Sequence, residues 1–165
     1  VSFVILRAMN DRQEQWQAAE RLALTLAEGG LQRMAARTLA VFLFTDQDSV
    51  TAGEIAERLD ASAGAVSGAV KSLLSVGLIE RLPAPGSRRE HYRLRDDAWA
   101  RLFTSQNTAF QAMLQAARTG VETTAEHDPA HRRLTQMRDF YEFMLDEIPA
   151  MLDRWRRHRQ PDRRM

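Results

Sequence analysis

Residues 51–94, TAGEIAERLDASAGAVSGAVKSLLSVGLIERLPAPGSRREHYRL, constrain this chain more than any other stretch. They open on Thr51-Ala-Gly-Glu54, in which the threonine hydroxyl can accept from a first-turn amide and the glutamate can reach back to the Thr51 amide. This capping box predicts a short helix burying Ile55, Ala56 and Leu59 and leaving Glu54, Glu57 and Arg58 outside. Asp60-Ala61 then turns the chain. Ser62 reads as a second N-cap, starting a helix with Val66, Val70, Leu73 and Leu74 on its buried side and Gly77 at its end.

At 100° per residue, the opposite face of that second helix carries Gly64, Gly68, Lys71 and Ser75, flanked by Ser67 and Ser72. Two glycines inside a helix each cost about 1 kcal/mol in propensity, so such a face needs a reason. After Gly77, Leu78-Ile-Glu-Arg-Leu82 and His91-Tyr-Arg-Leu94 are short β-prone runs bounded by Pro83, Pro85 and Gly86, which predicts an edge hairpin. Its tip, Gly86-Ser-Arg-Arg89, projects two adjacent guanidiniums. Two helices, a tight turn and a basic hairpin make a winged helix-turn-helix. That layout suits double-stranded DNA: small side chains let the helix approach the groove wall, and the tip reaches phosphate or minor groove. The candidate DNA contacts are Thr51, Ser62, Gly64, Ala65, Ser67, Gly68, Lys71 and Ser72 from the helices, and Arg88 and Arg89 from the wing.

The small residue Ala56, the turn at Asp60, Val66, the strand entry Ser-Val-Gly-Leu-Ile-Glu-Arg at 75–81 and the Gly-Ser-Arg-Arg wing together resemble the MarR superfamily of bacterial regulators, most closely its GbsR-like branch. The sequence departs from the pattern where Asp60 replaces a glycine often found at the turn. The resemblance implies a homodimeric regulator, a repressor in the reading favoured here, that binds a near-palindromic operator and is often released by a small ligand.

The flanks predict helices that could hold such a reader. Asp11 to Glu28 is amphipathic through Trp16, Ala19, Leu22, Ala23 and Leu26 and closes at Gly29-Gly30. Gln32 to Phe44 follows, with Met34, Leu39, Phe42 and Leu43 as a platform. Beyond the wing, Asp96 or Asp97 is expected to cap one long helix running through Trp99, Phe103, Phe110 and Ala117. The last helix, opening at Pro129, carries Leu134, Met137, Tyr141, Met144, Ile148, Met151 and Trp155 at alternating spacings of three and four, a heptad seam that predicts dimerisation. Phe140, Leu145 and Leu152 widen it, and Pro149 is expected to kink it. The fold class is therefore mainly α with a small β-hairpin wing. Its segments are an extension at 1–8, platform helices at 9–50, the winged domain at 51–95, dimerisation helices at 96–160 and a tail at 161–165.

Composition narrows the function. The chain has 165 residues, no cysteine and a net charge of +1. Disulfides, thiol sensing and cysteine-rich zinc fingers are excluded. A nucleic-acid footprint must be local, and basic density gathers at Arg81 to Arg101 and Arg154 to Arg164. No apolar run is long enough for a membrane helix, so a cytoplasmic protein without a membrane partner is expected. His127 and His131 stand four apart, but Pro129 between them separates loop from helix and argues against a metal site. No nucleophile elbow, phosphate loop or dinucleotide fingerprint is present, so neither enzyme activity nor a cofactor is expected. A small-molecule effector could lodge in a cleft lined by Trp16, Phe42, Trp99, Phe103 and Met137. The alternative function is a winged helix that binds protein and not DNA.

Overall fold

A computed structural model describes residues 2–83, 86, 88–105 and 107–159, with side chains from residue 11 onward except that of residue 105. Pro85, Ser87 and the 161–165 tail lie outside the described residues. The chain divides into two compact units, residues 1–98 and 99–165.

The first unit opens with α1 (Ser2–Glu28), which begins earlier than the Asp11 start expected from sequence and takes in most of the anticipated extension. It ends where the glycine pair predicts: Gly30 has φ 100°, and the Leu31 amide donates back to the Leu26 carbonyl at 3.1 Å. The helix α2 (Arg33–Phe44) follows, its first turn capped by the Gln32 side chain, which accepts from the Ala35 amide at 2.9 Å. Ala19 and Ala23 of α1 meet Ala36 and Ala40 of α2, so small side chains bring the two helices together. Leu39 and Phe42 are buried as expected, while Met34 and Leu43 are only half-buried.

A two-residue strand, β1 (Val50–Thr51), precedes α3 (Ala52–Leu59) and α4 (Ala63–Ser75), and the hairpin β2 (Ile79–Leu82) and β3 (His91–Leu94) completes the unit. The sheet order is β1-β3-β2, fully antiparallel, pairing Val50 with Tyr92 and Arg81 with Tyr92 from the other side. The sequence predicted only the hairpin. A two-residue strand has no periodicity to read, and Val50 earns its place by burial: it is fully enclosed, as are Leu39, Ile55, Val66, Leu73 and Leu78. Each such side chain contributes roughly 1.5–3 kcal/mol on leaving water, so this core fixes how α2, α3, α4 and the sheet meet.

The second unit holds α5 (Ala98–Ser105), α6 (Asn107–Glu122) and α7 (Pro129–Arg159). Where one long helix was expected after the wing, two are described, with residue 106 between them outside the description. The helices α6 and α7 form an antiparallel hairpin: Arg118 pairs with Glu142 at 2.6 Å, Phe110 meets Tyr141 with ring centroids 5.7 Å apart, and Leu134 lies against Gly120. A Cβ on Gly120 would stand 2.9 Å from the Leu134 methyls, so this glycine permits the close approach. Pro149 sits inside α7. No helix among the described residues is long and apolar enough to cross a membrane.

Candidate nucleic-acid interface

The start of α3 is fixed by the capping box. The Glu54 amide donates to Thr51 Oγ1 at 3.3 Å and the Thr51 amide to Glu54 Oε2 at 2.7 Å. The Thr51 hydroxyl also donates to that carboxylate at 2.8 Å. The Thr51 amide, then its hydroxyl, hold the Glu54 carboxyl below its usual range by bonding the charged form. Thr51 itself is buried, and both roles of its hydroxyl are taken, so this candidate contact positions α3 from within.

Asp60 turns the chain between the helices at φ 48°, ψ 52°, the left-handed region that glycine enters without strain. Among the described residues it is the only non-glycine with positive φ. The Ala61 amide returns to the Ala56 carbonyl at 3.0 Å, and Ser62 Oγ accepts from the Ala65 amide at 3.2 Å to start α4. At the far end, Gly77 has φ 72°, and the amides of Gly77 and Leu78 donate to the carbonyls of Leu74 and Leu73. Leu78 is thereby buried and leads straight into β2.

Held at both ends, α4 buries Val66, Ala69, Val70 and Leu73 and exposes Gly64, Ala65, Ser67, Gly68 and Lys71, with Ser72 half-exposed at the edge and Ser62 open at the N-terminus. Nothing lies within 4 Å of a Cβ built on Gly64 or Gly68, and neither has positive φ. The fold demands glycine at neither position. The exposed face is smooth and polar, with Lys71 as its one charge.

At the wing, Arg88 and Arg89 are both exposed. The arginines nearer its base behave differently from the basic density that the sequence suggested. Arg93 bonds Glu80 at 2.8 Å, Arg95 bonds Glu80 at 3.0 Å and Asp97 at 3.2 Å, and Arg81 faces Glu90 at 3.6 Å. Cross-strand register sets the first of these pairs, since Glu80 stands opposite Arg93. Positive charge is offset along the strands. Tyr92 donates its hydroxyl to Glu90, and burial, followed by that carboxylate, pushes the phenol pKa up.

The other sequence-derived residues fall in different places. Trp16 is part-exposed and lines a cavity of about 240 Å³ between α1, α2 and α3, whereas Phe42 is buried in the core and does not line it. Trp99 and Phe103 are part-exposed and Met137 half-buried, all three in the second unit. Of the heptad residues, Leu134, Tyr141 and Ile148 face their own unit; Ile148 clusters with Ala100, Leu152 and Phe110. Met137 and Met144 are half-buried, and Met151 and Trp155 are exposed, joined by Phe140 and Phe143 at 56% and 62% exposure. Phe143 was missed by sequence reasoning because it lies off the seam. Among the described residues no histidine and carboxylate cluster could hold a metal; His131 Nδ1 instead meets the Thr124 carbonyl oxygen at 3.1 Å beside the α6–α7 connection.

Residues 29–90 match the model of the MarR family, and residues 97–158 match that of the MmpR5-like MarR family transcriptional regulators. The HTH-type transcriptional regulator MmpR5 of Mycobacterium tuberculosis is 32% identical over 126 residues, covering 76% of each chain. The chain belongs to the MarR family. A crystal structure described as that of a transcriptional regulator matches with a TM-score of 0.73 and 29% identity, covering 87% of this chain and 99% of that one. This MarR-family chain is thus a transcriptional regulator and not an enzyme, and its winged helix-turn-helix, mostly helical with one small sheet, is the family's fold. The helical half matches the MmpR5-like model, where the wing and strand entry resembled the GbsR-like branch.

Proposed function

We propose that this protein is a homodimeric, sequence-specific DNA-binding repressor, cytoplasmic, acting on a near-palindromic operator and released by a small ligand. The observation that carries the reading is the exposed face of α4. Gly64, Ala65, Ser67 and Gly68 are all small and exposed, and the fold leaves room for a larger side chain at both glycines, of which Gly68, inside the helix, costs about 1 kcal/mol in propensity. A helix that must approach a phosphate-walled groove gains from that smoothness. Lys71 supplies charge on this face, Arg88 and Arg89 supply it at the wing, and Ser62, Ser67 and Ser72 supply hydroxyls.

One such helix reaches only a few base pairs, so two are needed at half-sites about one helical turn apart. The second copy is drawn to α7, which keeps Phe140, Phe143, Met151 and Trp155 exposed on one side, roughly a third of its circumference, while Tyr141, Ile148 and Leu152 pack within the chain. The GbsR-like assignment is supported by residues 75–81 and the wing alone. Selection of genomic fragments on the purified protein tests the function: one enriched two-fold-symmetric sequence is expected. Substituting Ser67 or Lys71 should change which sequences are enriched, while Arg88→Ala with Arg89→Ala should weaken all of them. Failure to retain any duplex would favour a protein-interaction module instead.

A further inference from the structure

The end of α7 carries charge that its packing does not use. From Pro149 to Arg159 four arginines face one carboxylate, Asp153, and that carboxylate is taken by Arg156 at 2.9 Å. Arg154 and Arg157 are both exposed, and no carboxylate among the described residues pairs with either. At 100° per residue the two stand roughly 140–160° round the helix from Leu152, which anchors this end by packing with Ala100 and Ile148. They point away from their own unit. The next acids on that side, Asp146 and Glu147, stand seven or more residues before Arg154, about 10 Å or more by helix rise, where salt screens them. A helix C-terminus favours cations within its last turn, but that turn is served by Arg156, Arg157, His158 and Arg159, and Arg154 lies before it.

We infer that this end of α7 is a second nucleic-acid contact, in which Arg154 and Arg157 neutralise phosphates of duplex DNA outside the stretch read by α4. The inference rests on the DNA-binding reading above and extends the footprint beyond the helix and wing. Residues three apart on a helix hold their Cβ atoms about 5–6 Å from one another, so two guanidiniums on long stems can take successive phosphates. Connectivity favours DNA as the occupant. Leu152 packs on Ala100, so the basic end of α7 lies beside the start of the second unit, and six residues link Leu94, the last of β3, to Ala100. Extended chain of that length spans at most about 22 Å, so the covalent link keeps these arginines within reach of a duplex that the wing engages. Contacts to phosphate carry no sequence information and add affinity for every duplex, which suits a reading helix with one charge on its exposed face.

Fluorescence anisotropy of a labelled random-sequence duplex, titrated with the full chain across a salt series, tests the contact. Arg154→Gln with Arg157→Gln should make the log–log salt slope shallower by about 1.8, about 0.9 for each phosphate released, while Arg154→Lys with Arg157→Lys keeps the wild-type slope. Arg132→Gln with Arg133→Gln removes the same charge from exposed positions about 20 residues back, roughly 30 Å along α7, and should leave the slope unchanged. Circular dichroism should show equal helicity in all of them. The wing separates this contact from the reading on which it rests. A slope that responds to Arg88→Ala with Arg89→Ala but not to the Arg154 and Arg157 pair overturns the α7 contact and leaves the wing; the converse overturns the wing and leaves α7. Equal losses from the two α7 pairs would reduce the effect to overall charge and overturn the proposal, as would a wild type that binds no duplex.

Discussion

The helices α4 and α7 each bury one face within their own unit and leave another outside, and the two outer faces are opposites. On α4 the exposed residues are glycine, alanine, serine and one lysine; on α7 they are Phe140, Phe143, Met151 and Trp155. Neither face follows from what the helix needs to pack. The α4 face gives up helix propensity and offers backbone and hydroxyls, as suits a wet, charged surface. The α7 face keeps large apolar side chains in water, as suits another apolar surface. Exposure alone would have grouped them together; composition separates a face suited to DNA from one suited to protein.

The largest effect should come from α7. Phe140→Glu with Phe143→Glu should raise the dimer dissociation constant about a hundredfold or more, since buried aromatic anchors each carry about 2 kcal/mol at an interface. Sedimentation at graded concentrations checks it, and unchanged helicity is expected because both side chains are exposed. A variant that still sediments as the wild type does would place the dimer surface elsewhere.

On α4 the expected effects divide. Gly68→Leu has open space to fill and should stabilise the fold by up to about 1 kcal/mol through helix propensity, yet weaken DNA binding about tenfold by crowding the groove. Stability and affinity moving together would reduce the α4 face to ordinary surface.

Smaller effects concern the scaffold that presents α4. Thr51→Ala removes the cap and should cost about 1 kcal/mol in chemical denaturation. Glu54 adds a pH signature. Its folded pKa lies below the ordinary 4.5, so its contribution is fully present above that value and is lost as pH falls through the lowered folded one. Glu54→Gln should therefore shrink the acid limb of the stability profile and leave any alkaline limb alone. Smallest of all, Asp60→Gly should raise stability by about 0.5–1 kcal/mol by relieving the left-handed turn. A decrease would mean that the Asp60 side chain contributes more than its backbone strain costs.

What could be read from the sequence was local. The Thr51–Glu54 box, the Ser62 cap, the turn at Asp60 and the stops at Gly30 and Gly77 depend on residues a few positions apart, and each stands where the pattern put it. What could not be read depends on partners far along the chain. Glu20 meets Arg37 across two helices, Glu80 meets Arg93 across a hairpin, and Val50 joins a sheet through Tyr92, far along the sequence. The wing therefore read as more basic than its ion pairs leave it. The widened heptad seam predicts contacts both within the chain and with a partner, but which residue serves which was not legible: Ile148 is enclosed within the chain and Trp155 is exposed.

The central claim, that the α4 face and the wing bind DNA, is tested most directly by duplex affinity measured across a salt series. The wild type should weaken linearly on a log–log plot, and Arg88→Ala with Arg89→Ala should make the slope shallower by about 0.9 for each phosphate that the wing no longer neutralises. Binding that is absent, or that ignores both salt and the wing substitutions, would contradict it.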